Sequence, residues 1–235
     1  MEPCMLISKN VICVKYVDYF HWFYRDQKRL DKFPQSFQYD GYKYNCEMSV
    51  DSTVTENLGF LIEEVKTDKI KLGYQLTQEG LIINILSITV ITYCNRKATP
   101  TSGEAPLGTN PDGDPYRYQT KRLYASVKVI MMYLASYSWQ DILFVIHQYA
   151  CFTQNYQESH EDSILRICRY LKDTQKKGLI LSPTGKIHVN CNVDSEFVGM
   201  FSYKDPHDPV CARSQSGYVV TFYNCPIMWV SKIQT

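Results

Sequence analysis

Most of the compositional signals that would assign this sequence to a special class are missing. Its 25 Lys and Arg residues nearly balance 24 Asp and Glu residues, for a formal net charge of +1. This balance excludes a uniformly basic nucleic-acid coat and allows only a local basic face. Apolar residues make up 45% of the chain and charged residues 21%, which excludes a disordered or low-complexity protein. The 235 residues predict a globular chain of one large domain or two small ones.

The nine cysteines lack the spacing of a zinc site, because no pair is separated as in CxxC or CxxxxC. The odd count and the scattered positions favour reduced thiols in an intracellular protein. Cys13, Cys151 and Cys168 lie inside apolar runs. We therefore expect these three to behave as small core residues.

Long apolar runs are lacking as well. The longest uncharged one covers 81–93 and holds thirteen residues, fewer than the ~20 needed to span a bilayer. The first residues carry no basic region followed by an apolar stretch, so we expect no signal peptide. These absences predict a cytoplasmic or nuclear protein with no membrane partner.

What the sequence does contain is a succession of strand and helix patterns. Two runs of β-branched and aromatic residues around Asp18 predict a hairpin with that residue near its tip. A second hairpin is predicted to turn at Thr67-Asp68. Thr77 is then expected to cap a helix that carries Leu81, Ile85 and Ile88.

A stretch rich in proline and glycine interrupts this order. Four prolines and three glycines between 99 and 115 predict a loop or linker. Three segments with apolar residues at helical spacing follow, and from 179 onward the pattern returns to strands. The predicted fold class is therefore α+β or mixed. The apolar residues of the three helices are Leu123, Val127, Ile130, Met131 and Leu134; Ile142, Val145, Ile146 and Tyr149; and Ile164, Ile167, Cys168 and Leu171.

Short motifs along almost the whole chain occur in the order known from one family. The first two are Glu2-Pro3-Cys4 and the hairpin Tyr16-Val17-Asp18. The later motifs are Leu76-Thr77-Gln78-Glu79-Gly80-Leu81-Ile82, Arg122-Leu123-Tyr124-Ala125-Ser126-Val127, Ser138-Trp139-Gln140-Asp141-Ile142, His160 with Arg169-Tyr170-Leu171-Lys172-Asp173-Thr174 and Gly178-Leu179, Asp194-Ser195-Glu196-Phe197-Val198-Gly199, Ser216-Gly217-Tyr218-Val219 and Trp229-Val230-Ser231-Lys232. Taken together and in this order, these motifs resemble the reverse transcriptase and the following RNase H region of copia-type LTR retrotransposon Pol polyproteins.

The resemblance implies four consecutive parts. Residues 1–98 would be partial palm hairpins of a reverse transcriptase, 99–118 a linker, and 119–177 a helical thumb or connection. Residues 178–235 would form the N-terminal part of an incomplete RNase H-like sheet. The activity implied is RNA-directed DNA synthesis with Mg²⁺, and the implied partners are RNA or an RNA–DNA hybrid and the remainder of the Pol polyprotein.

Asp18 is the candidate catalytic and metal position of the polymerase part. Nucleotidyl transfer uses two Mg²⁺ ions held by clustered carboxylates, and the family hairpin reads YVDD. Here Tyr19 stands at the second aspartate, and a phenol with a pKa near 10 is a poor Mg²⁺ ligand. The alternative interpretation of Asp18 is an exposed turn residue.

Asp194 matches the first carboxylate of the RNase H site. Glu196 follows two residues later, so a strand would place both on one face. The next acid of the family lies on a helix beyond the motif at which this sequence stops. We therefore expect both catalytic sites to be incomplete, the Mg²⁺ not to be bound productively, and the chain to be inactive.

A basic stripe on the third predicted helix is the remaining candidate site. Arg166, Arg169, Lys172 and Lys176, with Lys177, recur at helical spacing and could follow a phosphate backbone. The alternative is a solvated helix face. His160 is expected to pack or cap rather than to bind a metal.

Two departures from the family pattern indicate relaxed constraint. Ile62 replaces a glycine, and Ser138-Trp139-Gln140-Asp141 has lost both an arginine and a proline. Besides an inactive Pol fragment, two alternatives remain open at this point: a non-catalytic nucleic-acid-binding remnant, and a degenerate translated element with no retained function.

Overall fold

The computed structural model describes residues 5–7, 9, 11–16, 19–24, 56–67, 70–91, 94–101, 118–152, 158–196 and 214–234. The chain divides into two compact units, Met1–Asp51 and Ser52–Thr235. In the described ranges, four α-helices accompany ten strands arranged as three antiparallel sheets. The predicted mixed class is confirmed at this level. The four predicted parts of the chain stay a prediction.

The first unit contains a three-stranded sheet of order β1-β2-β3, formed by β1 (Met5–Ile7), β2 (Val11–Tyr16) and β3 (Tyr19–Tyr24). The last residue of β2 and the first of β3 face each other in the antiparallel register. The two strands of the predicted hairpin are thus confirmed, whereas Asp18 itself lies outside the described residues. Cys13 is buried on β2, as expected from its apolar surroundings.

The second unit begins with a four-stranded sheet of order β4-β5-β6-β7. Its strands are β4 (Glu56–Asn57), β5 (Phe60–Thr67), β6 (Ile70–Thr77) and β7 (Leu179–Leu181). The strands β5 and β6 form the second predicted hairpin. The short β7 returns from much later in the chain and pairs with β6, so this sheet joins residues on both sides of the boundary predicted at 178.

Glycine is needed where β7 approaches β6. A Cβ atom on Gly178 would lie 2.2 Å from the Leu76 carbonyl oxygen, and one on Gly73 would lie 2.1 Å from the Leu181 carbonyl oxygen. Non-bonded carbon and oxygen atoms do not approach this closely, so only a residue without Cβ fits at either position. The close approach of the two backbones therefore explains why a glycine is needed in the Gly178-Leu179 motif.

The helix α1 (Glu79–Ile88) follows β6 directly. The prediction that Thr77 caps it is wrong, because strand pairing runs through Thr77, which faces Leu61. Gln78 occupies the N-cap position instead and makes no side-chain capping bond. Its side chain is used in a different contact, described below.

The core is built from α1 and three further helices, α2 (Tyr118–Tyr137), α3 (Gln140–Cys151) and α4 (Glu158–Thr174). The helical spacing predicted for these three segments is confirmed. No helix in the described part of the chain is long and apolar enough to cross a membrane. The buried residues that follow the predicted spacing include Val127, Met131 and Leu134; Ile142, Val145, Ile146 and Tyr149; and Ile164, Ile167, Cys168 and Leu171.

Two side chains near the ends of α3 and α4 complete this comparison. The expectation that Cys151 lies in the core is wrong, because this residue is exposed on the outward face of α3, which it shares with exposed Phe144 seven residues earlier. The ring of His160 is buried and stacks on Phe152, with centroids 4.5 Å apart and planes at 17°. The expected packing role of His160 is therefore confirmed.

The last sheet has the order β10-β9-β8, with β8 (Val189–Glu196), β9 (Gln215–Phe222) and β10 (Cys225–Ile233). Tyr223 and Asn224 connect β9 to β10 with φ values of 52° and 64°, the left-handed pair that a tight hairpin turn requires. The indole Nε1 of Trp229 on β10 donates a hydrogen bond to the Ala135 carbonyl, 2.8 Å away, and so ties the sheet to α2.

Candidate functional site

Several of the motifs that carry the family resemblance meet in the helical core. We call Gln78, Ser138, Trp139, Asp141 and Tyr170 the motif junction. The Ser138 hydroxyl donates a hydrogen bond of 2.5 Å to Gln78 Oε1, across 60 residues of chain. Gln78 is 0% exposed and Ser138 7% exposed, so this bond is shielded from water and links the start of α1 to the start of α3.

The other half of the motif junction joins α3 to α4. The Tyr170 hydroxyl donates a hydrogen bond to Asp141 Oδ2, and the Trp139 ring meets the Tyr170 ring edge to face at 6.1 Å and 88°. Burial, followed by the bond to Asp141 and its negative charge, raises the pKa of Tyr170. The phenol therefore stays protonated and keeps donating.

Side chains of the substituted motif at 138–141 thus pack against or form hydrogen bonds with other helices. Trp139 is buried and Ser138 is hydrogen-bonded, although neither matches the family pattern. Two buried donors of the junction, Gln78 Nε2 and Trp139 Nε1, have no hydrogen-bond partner in the described ranges. Each unsatisfied donor costs about 1–3 kcal/mol, which the surrounding apolar burial must offset.

The RNase H candidates lie in a different environment. Asp194 and Glu196 are both on β8, where they face Gly217 and Gln215 of β9 in an unbroken register. They therefore project from the same face of the strand, as predicted. Both are exposed. Asp194 also lines an open cleft of about 360 Å³ between α3 and the sheet, together with Asp141 and Ser231.

These carboxylates do not form a metal cage. In the ranges that the structure describes, no group of three or more His, Cys, Asp or Glu side chains could hold a metal ion. A two-metal site needs clustered carboxylates that bridge both ions, and the cleft beside Asp194 is walled mainly by apolar groups such as Phe144, Val219 and Trp229. The described residues therefore do not fit Mg²⁺, and Asp18 is not among them.

The predicted basic stripe on α4 is half covered by the segment 94–101. Arg166, Arg169 and Lys172 are half-buried. Arg166 Nη2 donates a hydrogen bond of 3.1 Å to Thr99 Oγ1, and Lys172 Nζ donates one of 3.3 Å to the Cys94 carbonyl. These two side chains therefore hold an irregular segment against the helix.

The end of the stripe is more accessible. Lys176 and Lys177 follow α4 and are exposed, and the backbone carbonyl of Lys176 accepts a hydrogen bond of 3.1 Å from Gln75 Nε2. Beside the stripe, Arg96 and Asp173 form an ion pair of 2.9 Å. At the Arg166 end, the stripe therefore holds segment 94–101 in place, whereas at the Lys176 end its side chains are exposed to solvent.

Two curated plant proteins are similar to this chain. It is 26% identical over 174 residues to the retrovirus-related Pol polyprotein from transposon RE1 of Arabidopsis thaliana, and 24% identical over 175 residues to that from transposon RE2 of the same plant. The resemblance to retrotransposon Pol polyproteins is confirmed. Each match covers 72% of this chain but 11% of the relative, so the chain spans about a tenth of the length of these Pol polyproteins. No family model and no solved structure matches it.

The contacts that organise this Pol-related chain were not foreseen from its sequence. Gln78 and Ser138 were each recognised as motif residues, but nothing in either motif indicates that they bond to each other. The cover that 94–101 provides for Arg166 and Lys172 was missed because that segment has neither helical nor strand periodicity. The opposite charges of Arg96 and Asp173 were the one available signal, and 77 residues separate them.

Proposed function

We propose that this chain is a non-catalytic segment derived from a copia-type retrotransposon Pol polyprotein. Its parts would be palm hairpins over 1–98, a linker over 99–118, a helical thumb or connection over 119–177 and the start of an RNase H-like sheet over 178–235. The similarity to Pol polyproteins over 72% of the chain supports the origin. In this proposal the chain works in the cytoplasm or nucleus beside the remainder of the Pol polyprotein.

The isolation of the candidate carboxylates carries the non-catalytic part of the proposal. Asp194 and Glu196 are exposed on one strand, and no third ligand joins them within the described ranges. In the other half, Tyr19 stands where the family hairpin has its second aspartate. A hard dication held by one or two exposed carboxylates exchanges freely with water and cannot align two reacting oxygens.

Primer extension tests the polymerase part. The purified 235-residue chain, its Asp18→Ala variant and an active reverse transcriptase are incubated with an RNA template, a DNA primer, nucleotides and Mg²⁺. We expect extension from the active enzyme alone. Extension by the chain that requires Mg²⁺ and disappears in Asp18→Ala would show that the proposal is wrong.

Cleavage of an RNA–DNA hybrid tests the RNase H part separately. The chain and its Asp194→Asn variant are compared at equal concentration with Mg²⁺ or Mn²⁺. We expect no cleavage by either protein above a protein-free reaction. Metal-dependent cleavage by the chain that Asp194→Asn removes would assign a working site to β8.

A second candidate function is binding of RNA or an RNA–DNA hybrid through the basic stripe. The observation that favours it is the exposed pair Lys176 and Lys177, which continues the stripe of half-buried Arg166 and Arg169 beyond the end of α4. Such a stripe would bind phosphates without reading sequence, and its affinity would fall steeply with salt. The third possibility, an element without retained function, predicts no binding.

Matched charge reversals separate these candidates. Lys176→Glu with Lys177→Glu changes the exposed end of the stripe, whereas Arg166→Glu with Arg169→Glu also removes the Arg166–Thr99 bond. Binding through the stripe predicts at least a tenfold loss for both pairs, and a shallower salt dependence for the lysine pair. Hybrid binding that neither pair weakens would refute the stripe as the site, and no measurable binding by the unaltered chain would favour the third possibility.

A further inference from the structure

The strand β8 is unusually accessible for an ordered element. All eight of its residues are exposed, and among the described residues it pairs with β9 alone, at the end of the sheet order. An edge strand of this kind presents unpaired backbone N–H and C=O groups to any extended segment that can align with it.

The sequence of this edge reads the same in both directions. Val189-Asn190-Cys191-Asn192-Val193 is a palindrome centred on Cys191. In an antiparallel pairing of two identical strands about a two-fold axis at Cys191, Val189 of one copy faces Val193 of the other. Each asparagine likewise faces an asparagine, and the two Cys191 residues face each other. A two-fold interface requires this kind of self-complementary surface.

The charges at the two ends of β8 support the same alignment. Its C-terminal end carries Asp194 and Glu196, whereas Lys186 and His188 precede its N-terminal end. Antiparallel pairing brings the acidic end of one copy to the basic end of the other. A parallel pairing would instead set like charges side by side, which is unfavourable.

The two faces of the strand would both gain from this pairing. Val189 is 64% exposed and Val193 73% exposed, and they lie on the same face as Cys191, so four valines would cluster around the axis. The opposite face would bring asparagine side chains together as hydrogen-bonding pairs. We propose that β8 is the interface of a symmetric homodimer, in which a second copy of this chain extends the sheet by antiparallel pairing centred on Cys191.

The mass of the full chain in solution tests the interface. One strand per copy buries a small area, so we expect a weak dimer whose mass rises from 27.4 kDa toward twice that value with concentration in sedimentation velocity. Val189→Glu with Val193→Glu places like charges opposite each other and should keep the protein monomeric. Val189→Lys with Val193→Glu places opposite charges across the axis and should dimerise again. Circular dichroism checks that both variants fold.

Each alternative result is decisive for this register. A chain that stays monomeric at high micromolar concentration overturns the proposal. A dimer that persists in the Glu–Glu variant uses a different surface. Loss of the dimer in both variants rules out the pairing of position 189 with position 193.

Crosslinking tests the centre of the interface without altering the valines. Directly opposed residues of an antiparallel pair have Cβ atoms about 4.5–5.5 Å apart, so a short bismaleimide should join two Cys191 thiols. We expect a crosslinked dimer from the unaltered chain and from Cys151→Ser, in which the other exposed thiol that the structure describes is removed. Cys191→Ser should abolish it. A crosslink that survives Cys191→Ser, or one that Cys151→Ser removes, would contradict the proposed axis.

Discussion

The helical core and the β8–β10 sheet of the second unit contain different kinds of motif residue. The motif junction contains three buried side chains, those of Gln78, Ser138 and Trp139, and its two hydrogen bonds join residues that are 60 and 29 positions apart. The candidate carboxylates of β8 project from an exposed strand. Both regions supply motifs to the Pol resemblance: those of the core include buried packing residues, and those of the sheet include the candidate carboxylates Asp194 and Glu196.

The largest expected effect is a core truncation. Ile142 on α3 is 0% exposed and belongs to the apolar cluster. Ile142→Ala should lower the free energy of unfolding by about 2–5 kcal/mol, because it removes buried methylenes and leaves a cavity. Chemical denaturation followed by circular dichroism measures the change. Val193→Ala on β8 is the matched control, since that side chain is mostly exposed and its loss should cost less than about 0.5 kcal/mol. Equal losses for the two variants would contradict the division between core and edge.

The pH dependence of stability should come from the core as well. Burial raises the pKa of Tyr149 to about 12, although a hydrogen bond with Ser163 and the charge of Arg166 oppose the shift. A phenol whose pKa is raised in the folded state stabilises that state below pH 10, and this contribution is lost as the pH rises toward 12. Tyr149 alone should lower the free energy of unfolding by about 1.4 kcal/mol per pH unit in this range.

Tyr149→Phe isolates that contribution, because Phe fills the same space without an ionisable group. The variant should lose less stability than the unaltered chain between pH 10 and 12, in denaturation curves recorded at several pH values. Parallel pH profiles for the two proteins would show that Tyr149 is more solvated than its surroundings indicate.

The hydrogen bond inside the motif junction should have an intermediate effect. Ser138→Ala leaves Gln78 Oε1 buried without its donor, which should cost about 1–3 kcal/mol. Gln78→Met removes an amide whose Nε2 has no partner among the described residues, so we expect a smaller loss. In the double variant both polar groups are gone, and the total loss should be less than the sum. Additive losses would indicate that the two side chains do not interact.

Periodicity predicted the parts of this fold that depend on local sequence. The three apolar helices and both hairpins follow directly from residue spacing, and His160 was rightly assigned to packing. The N-cap of α1 could not be predicted in the same way, because Thr77 is a good capping residue that strand pairing with Leu61 uses instead. The pairing of β7 with β6 joins residues 103 to 107 positions apart, and only the glycines at 73 and 178 indicate it.

The candidate site was predicted less completely, for a physical reason. Residue type identified Asp194, Glu196 and the basic stripe, and strand geometry correctly placed the two acids on one face. Whether such groups act together depends on tertiary neighbours, which spacing does not encode. The burial of Arg166 and Lys172 under 94–101 is an example, since the same residues on an uncovered helix would have presented all their charge to solvent.

The smallest expected effect is that of replacing Asp194, a carboxylate that the family resemblance marks as a candidate catalytic position. Asp194→Asn should change the free energy of unfolding by less than about 0.5 kcal/mol, because the side chain is exposed and contributes to no described ion pair or side-chain hydrogen bond. Adding 10 mM Mg²⁺ should raise the stability of neither protein, since an ion stabilises the folded state only when its concentration approaches or exceeds the dissociation constant of a site in that state. Thermal denaturation of both proteins, with and without the ion, measures this. If Mg²⁺ raised the melting temperature of the unaltered chain and Asp194→Asn abolished that rise, Asp194 would be a ligand of a metal site.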